Sequence, residues 1–186
     1  MRIGFLRFEA RKTSSHFFVL FFVISLLSGC AAEMSIHDQL LPSKGGATEE
    51  LESPLLPSQG TLTLHATPIE PASGAAEIVL TLGLSKKTPD IAVHIYDRKC
   101  SGSYKVAVIF LAKKDVYQTI YFDSQLAWSK PLALTLIWDN ESNYRLQLNN
   151  SESKTFRSKI YASKMTLTAD SGQLQIHKLS ITKTAK

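Results

Sequence analysis

The chain has 186 residues and a formal charge of +5, with 44% hydrophobic and 20% charged residues. That length fits one domain with additional segments. The composition excludes a disordered chain, a multi-pass membrane protein and a disulfide-stapled miniprotein. The charge is uneven. Residues 1–29 carry four bases and one acid, residues 30–58 one base and five acids, and residues 59–186 sixteen bases and ten acids.

The first segment is polar and basic, with Arg2, Arg7, Arg11 and Lys12. An apolar run, Phe17-Phe-Val-Leu-Phe-Phe-Val-Ile-Ser-Leu-Leu27, follows, and then the small residues Ser28 and Gly29. A basic start, a short apolar run and small residues make a secretory signal peptide over residues 1–29. The run is shorter than the roughly 20 residues a membrane span needs. Leu27-Ser28-Gly29-Cys30 resembles the lipobox of bacterial lipoproteins at all four positions. The resemblance implies that the Cys30 sulfur receives diacylglycerol, that the chain is cut between Gly29 and Cys30, and that the new amino group is acylated. Ala31 in turn implies export to the outer membrane of the cell envelope. A single acyl chain binds a bilayer only marginally, so several chains on Cys30 are what make an anchor lasting. With Cys30 used in this way, Cys100 has no partner for an intramolecular disulfide.

Residues 30–59 are rich in Pro, Gly, Ser and acids and show no sustained periodicity. They read as the lipidated N-terminus followed by a flexible linker, which as a coil would span about 30 Å. The doublets Leu40-Leu41 and Leu55-Leu56 read as stray leucines of the linker or as contacts that dock it on the domain or a partner.

From residue 60 the pattern has period two. Leu62, Leu64 and Ala66 alternate with polar residues, as do Ile78–Leu84, Ile91–Ile95, Leu132–Trp138, Tyr144–Leu148 and Met165–Ala169. Tyr104–Leu111 is apolar on both faces apart from Lys105, which suits a central strand. The phase slips at His177-Lys178, where a bulge is expected. Turn residues separate these runs, and no window carries a helical stripe. Residues 60–186 are therefore expected to form an all-β antiparallel sandwich of about ten strands.

Two stretches sharpen this. Leu134-Thr-Leu-Ile-Trp-Asp-Asn-Glu-Ser-Asn-Tyr-Arg-Leu-Gln-Leu-Asn-Asn150 resembles a hairpin of concanavalin A-like and laminin-G-like jelly rolls, with Asn149-Asn150 standing for Asn-Gly. Gly172-Gln-Leu-Gln-Ile-His-Lys-Leu-Ser-Ile-Thr182 resembles the last strand of the same fold.

No motif for catalysis emerges. Glycosidases need paired carboxylates at a fixed separation, and the glutamates here lack that setting. There is no nucleophile elbow, and no paired Cys or His-Glu-x-x-His to hold a transition metal. His65, His94 and His177 lie on separate strands, and Asp139-Asn140-Glu141 reads as a hairpin turn rather than a calcium loop. Lys86-Lys87, Arg98-Lys99, Lys113-Lys114 and Lys154–Lys164 are basic clusters that protect edges or meet anionic glycans and headgroups. Sugars stack on flat rings. Trp128, in the polar loop Asp123–Pro131, is the candidate exposed platform, with simple packing as the alternative reading, whereas Trp138 continues an apolar face and belongs in the core.

The expected function is a lipid-anchored, non-catalytic recognition module for glycan or another envelope polymer. The alternative is a scaffold lipoprotein of an envelope protein assembly with no small-ligand site. The expected partners are the membrane, through Cys30, and an envelope polysaccharide or protein. No cofactor, metal, nucleic acid or enzymatic activity is expected.

Overall fold

A computed structural model describes residues 34–44, 47–48, 50–53, 55–69, 76–83, 91–97, 102–113, 115–159 and 163–184. Gly29, Cys30 and Cys100 lie outside the described residues, so the lipobox and its cleavage site are not placed.

The described chain is all β. In order the strands are β1 (Met34–Leu41), β2 (Ser43–Lys44), β3 (Ala47–Thr48), β4 (Glu50–Glu52), β5 (Gly60–Ile69), β6 (Ala76–Gly83), β7 (Ile91–Asp97) and β8 (Ser103–Lys113). They continue as β9 (Val116–Tyr121), β10 (Leu126–Ala127), β11 (Leu132–Trp138), β12 (Asn143–Leu148), β13 (Glu152–Arg157), β14 (Lys164–Ser171) and β15 (Gln173–Lys183). A six-stranded sheet has the order β1-β15-β5-β11-β12-β13. It packs on a seven-stranded sheet of order β10-β8-β7-β6-β14-β4, in which β9 also pairs with β8. The pairs are antiparallel, and the inner faces interdigitate as in a jelly-roll sandwich.

The period-two runs supply the core. Leu62, Leu64, Leu132, Leu134, Leu136, Leu146, Ile176 and Leu179 point inward from one sheet. Ile78, Leu80, Leu82, Ile91, Val93, Val106, Val108 and Met165 meet them from the other. The bulge expected at His177-Lys178 is present as a register shift between Ile176 and Lys178 against β5. Asn149 and Asn150 both have positive φ, 49° and 56°, and Ser151 N–H donates to the Leu148 carbonyl at 3.0 Å. Those are the requirements of the tight hairpin turn that Asn-Gly ordinarily serves.

Where residues 30–59 are described, the linker expected there is corrected. β1 runs along β15 from Met34 opposite Ile181 to Leu41 opposite Leu174. Leu41 is buried, and Met34 and Ile36 pack against the core. β4 closes the other sheet, with Leu51 opposite Leu167. An edge strand buries only every other residue, and only on one flank. A few apolar side chains among Ser, His, Asp and Gln therefore suffice, too few to raise a strong alternation.

Each end of the sandwich is closed by a tryptophan. At one end Trp138 is buried and its indole N–H donates to the Pro57 carbonyl at 2.9 Å. Beside it Tyr144 stacks on Phe156, whose ring lies 4.7 Å from Phe110 of the opposite sheet. Gly60 sits under this Trp: a Cβ there would come within 2.7 Å of the indole and 2.8 Å of the Thr182 carbonyl oxygen. At the other end Trp128 is buried against Tyr104, with ring centroids 5.0 Å apart.

Candidate functional site

The central strands of the seven-stranded sheet alternate between core and outer face, and the outer phase holds its polar groups. In β7 the inward residues are Ile91, Val93, Ile95 and Asp97, so Ala92, His94 and Tyr96 face outward. The same phase puts Glu77 and Thr81 of β6, and Lys105, Ala107 and Ile109 of β8, on that surface. Register then assembles rows across strands. Lys105 stands opposite Tyr96, which stands opposite Glu77. In the next row Tyr121 of β9 stands opposite Ala107, which stands opposite His94.

His94 Nδ1 lies 2.7 Å from Glu77 Oε1. A carboxylate oxygen accepts, so Nδ1 donates, and Nε2 of the neutral ring carries the lone pair. The His94 side chain is 22% exposed and Glu77 45%, so the pair is open to a ligand. Glu77 is itself positioned by β14, its backbone N–H donating to Ser171 Oγ at 2.9 Å. Ala107 and Ala92 are small and buried, which leaves a low floor beside the imidazole. Tyr121 of β9, 61% exposed, forms its aromatic rim, and Lys105 supplies a cation.

The outer face of the six-stranded sheet is different. Thr63, Thr135, Gln147 and Ser153 line one row, and Arg145 Nε donates to Ser153 Oγ at 2.9 Å. An open hollow of about 440 Å³ near Trp138 is lined by Asp139, Asn143, Arg145 and Thr155. Asp139 is spent on its own turn. Its carboxylate accepts from the Asn143 amide and from the backbone N–H groups of Asn143 and Glu141, which holds its pKa below the usual range. Among the described residues no group of three or more His, Cys, Asp and Glu side chains could hold a metal ion.

The sugar platform expected at Trp128 is corrected. The loop before β11 turns back across the open end of the sandwich, tied to the facing sheet by Ser129 N–H donating to the Pro68 carbonyl at 2.9 Å. This carries the indole inward over Tyr104, and its N–H points to Asp97 Oδ2 at 3.4 Å. A large ring beside an unclosed core gains more from burial than from water, and polar sequence neighbours do not reveal that. Trp138 lies in the core as its phase requires. His177 is bonded to Thr67 at 2.8 Å, and His65 is exposed opposite Lys178. Lys113, Lys159 and Lys164 are exposed, while Lys86, Lys87, Arg98, Lys99 and Lys114 lie outside the described residues. Sequence reasoning missed the His94–Glu77 pair. The outward phase of His94 and Tyr96 was readable, but the partner on β6 comes only from strand order and register.

No protein-family model matches the sequence, and no curated protein matches it. Solved structures do resemble the fold. A family 18 polysaccharide lyase aligns with a TM-score of 0.58 over 87% of this chain and 91% of its own, at 10% identity. An alginate lyase of Pseudomonas aeruginosa aligns with a TM-score of 0.57 over 76% of each chain, at 9% identity. Congerin II, liganded with lactose and MES, aligns with a TM-score of 0.51 over 81% of this chain and 99% of its own, at 13% identity. At these identities the likeness is one of fold: a jelly-roll β-sandwich, as the sequence led one to expect.

The expectation that the domain is no enzyme is corrected by the same likenesses. Lyases use this fold, so the absence of a glycosidase motif does not speak against catalysis. Groups on an open sheet face come one or two per strand from separate strands. They leave no compact motif for a sequence search to meet.

Proposed function

We propose that this chain is a lipid-anchored envelope protein whose sandwich engages an acidic polysaccharide on the outer face of the seven-stranded sheet. The observation that carries this reading is the convergence of Lys105, Tyr96 and the His94–Glu77 pair beside the exposed ring of Tyr121. Flat rings take the CH faces of sugars, and the Lys105 ammonium complements a uronate carboxylate. Sharing a fold with polysaccharide lyases and with lactose-liganded congerin II supports a glycan as ligand. The membrane partnership is supported by the lipobox ending at Cys30.

Titration with alginate and with a neutral glucan tests the reading. Alginate should bind and the neutral polymer should not. Lys105→Ala and Tyr121→Ala, both at exposed positions, should each weaken binding about tenfold, the loss expected of one charged or stacked contact. Variants that bind like the parent would remove this face from consideration.

A second reading follows from the 2.7 Å contact between His94 and Glu77. A histidine held in one tautomer by a carboxylate is poised as a general base. Beside Lys105, His94 Nε2 takes the proton α to a uronate carboxylate, the electron pair of that C–H bond forms a ring double bond as the C–O bond to the glycosidic oxygen breaks, and the imidazolium returns the proton to the departing oxygen, cleaving the chain without water. Ultraviolet absorbance of the resulting unsaturated uronate measures this directly, and His94→Gln should abolish it.

A further inference from the structure

We infer that the Trp138 end of the sandwich is a docking surface for anionic phospholipid headgroups, seated on the bilayer that the Cys30 lipid enters; this rests on the lipid-anchor reading. The first observation is distance along the chain. β1 is already in the sheet at Met34, so three residues separate it from Cys30. Fully extended, the path from Cys30 to Met34 covers at most about 14 Å. β1 enters beside Ile181, two residues from Lys183, which stands opposite Gly60, itself opposite Trp138. The anchor therefore reaches the sandwich at this end and cannot hold it far from the membrane.

The second observation is charge. The exposed bases Lys113, Arg157, Lys159, Lys164 and Lys183 gather here from β8, β13, β14, β15 and the segment after β13. Lys159 N–H donating to the Leu111 carbonyl at 2.9 Å ties the two sheets together at this end. The described acids are Asp115, Asp139, Glu141 and, opposite Thr166 on β14, Glu52, fewer than the bases, and Asp139 is already engaged within its turn. Among the described residues the Trp128 end has no such excess, with Asp97, Asp123 and Glu152 against Lys105, Lys130 and Lys154. Clustered bases are attracted to an anionic leaflet within about a Debye length, roughly 8 Å at physiological salt. The third observation is the β8–β9 hairpin, where Val116 and Tyr117 are 47% and 48% exposed next to Lys113. An aliphatic, a tyrosine and a lysine at one tip make an interfacial anchor, the ring at headgroup depth and the ammonium reaching the phosphates.

The full-length protein, purified from membranes, is reconstituted into phosphatidylethanolamine vesicles containing either phosphatidylglycerol or phosphatidylcholine. Amide hydrogen exchange is compared with that in detergent micelles. With phosphatidylglycerol, exchange should slow across residues 113–121 and 181–184 and stay unchanged across residues 122–131. The protection should be lost with phosphatidylcholine and in a Lys113→Glu, Lys183→Glu double variant. The mass of the N-terminal peptide is read in the same samples. An unacylated Cys30 overturns the anchor and the docking surface together. An acylated Cys30 with no protection, or with protection at the Trp128 end, overturns the docking surface and leaves the anchor standing.

Discussion

The two ends of the sandwich meet the same need by different means. Each has to cover the last layer of a core whose strands stop, and each uses an indole to do it. At one end Trp138 belongs to β11 and continues the inward phase of Leu132, Leu134 and Leu136. At the other, Trp128 comes from the segment after β10 and turns in to lie on Tyr104. The first is a strand residue doing what its phase dictates; the second is a loop residue recruited by an unfilled space. Among the described residues the ends also differ in charge, with an excess of bases around Trp138 and an even balance around Trp128. Closure by an aromatic ring thus sets no constraint on the rim around it, which is free to suit a partner.

The largest expected effect comes from Trp138. Trp138→Ala should cost about 3–5 kcal/mol, the usual range for deleting a buried aromatic, because it also removes the indole bond to the Pro57 carbonyl. Chemical denaturation should show a lower midpoint with an unchanged slope. Trp128→Ala should come close behind, at about 3 kcal/mol. Trp128→Phe, which keeps a ring over Tyr104 and loses only the N–H to Asp97, should cost about 1 kcal/mol. A Trp128→Ala protein as stable as the parent would break the comparison, since the loop would then be decoration rather than closure.

A smaller effect separates the ends by backbone approach. Gly60 lies under Trp138 with the Thr182 carbonyl on its other side. Neither the fused ring nor a strand carbonyl yields easily. Gly60→Ala should therefore cost about 2 kcal/mol through overpacking, and the Trp138 fluorescence should shift as the ring is displaced. Gly102, with φ of 71° and no atom within 4 Å of where a methyl group would stand, carries only conformational strain.

These contrasts show what the sequence made legible. Alternation in Leu62–Ala66, Ile78–Leu82 and Leu132–Trp138 announced the strands and their inward faces, and Asn149-Asn150 announced a hairpin. Those signals are local and repeat. β1 was not legible, because an edge strand that packs by Met34, Ile36 and Leu41 leaves exposed polar residues between them. The burial of Trp128 was not legible either, because its neighbours in sequence are polar, while the space it fills is made by β8 and the Pro68 region. The candidate site was half legible: His94 and Tyr96 fall on the outward phase, but Glu77 and Lys105 join them only through register.

A further effect belongs to the Trp128 end and depends on pH. Glu152, at the start of β13, holds the segment leading to Trp128. Its carboxylate accepts from the Asp123 and Ser124 backbone N–H groups and from the Ser124 hydroxyl at 2.8 Å, with Lys154 at 3.2 Å. Desolvation pushes its pKa up, but the donors outweigh it and hold the group at about 2, against an ordinary 4.5. A folded-state pKa below the unfolded one stabilises the fold above the unfolded value and ceases to do so as pH falls through the folded one. The contribution should therefore be complete above about pH 5 and fade toward pH 2. Glu152→Gln keeps the shape but not the charge, and should cost about 1.5 kcal/mol near neutral pH. Its stability curve should converge with that of the parent as acid protonates Glu152. A constant gap down to pH 2 would mean that the loop is held by shape rather than by the carboxylate. The order of strengths at the two ends would then rest on the tryptophans alone.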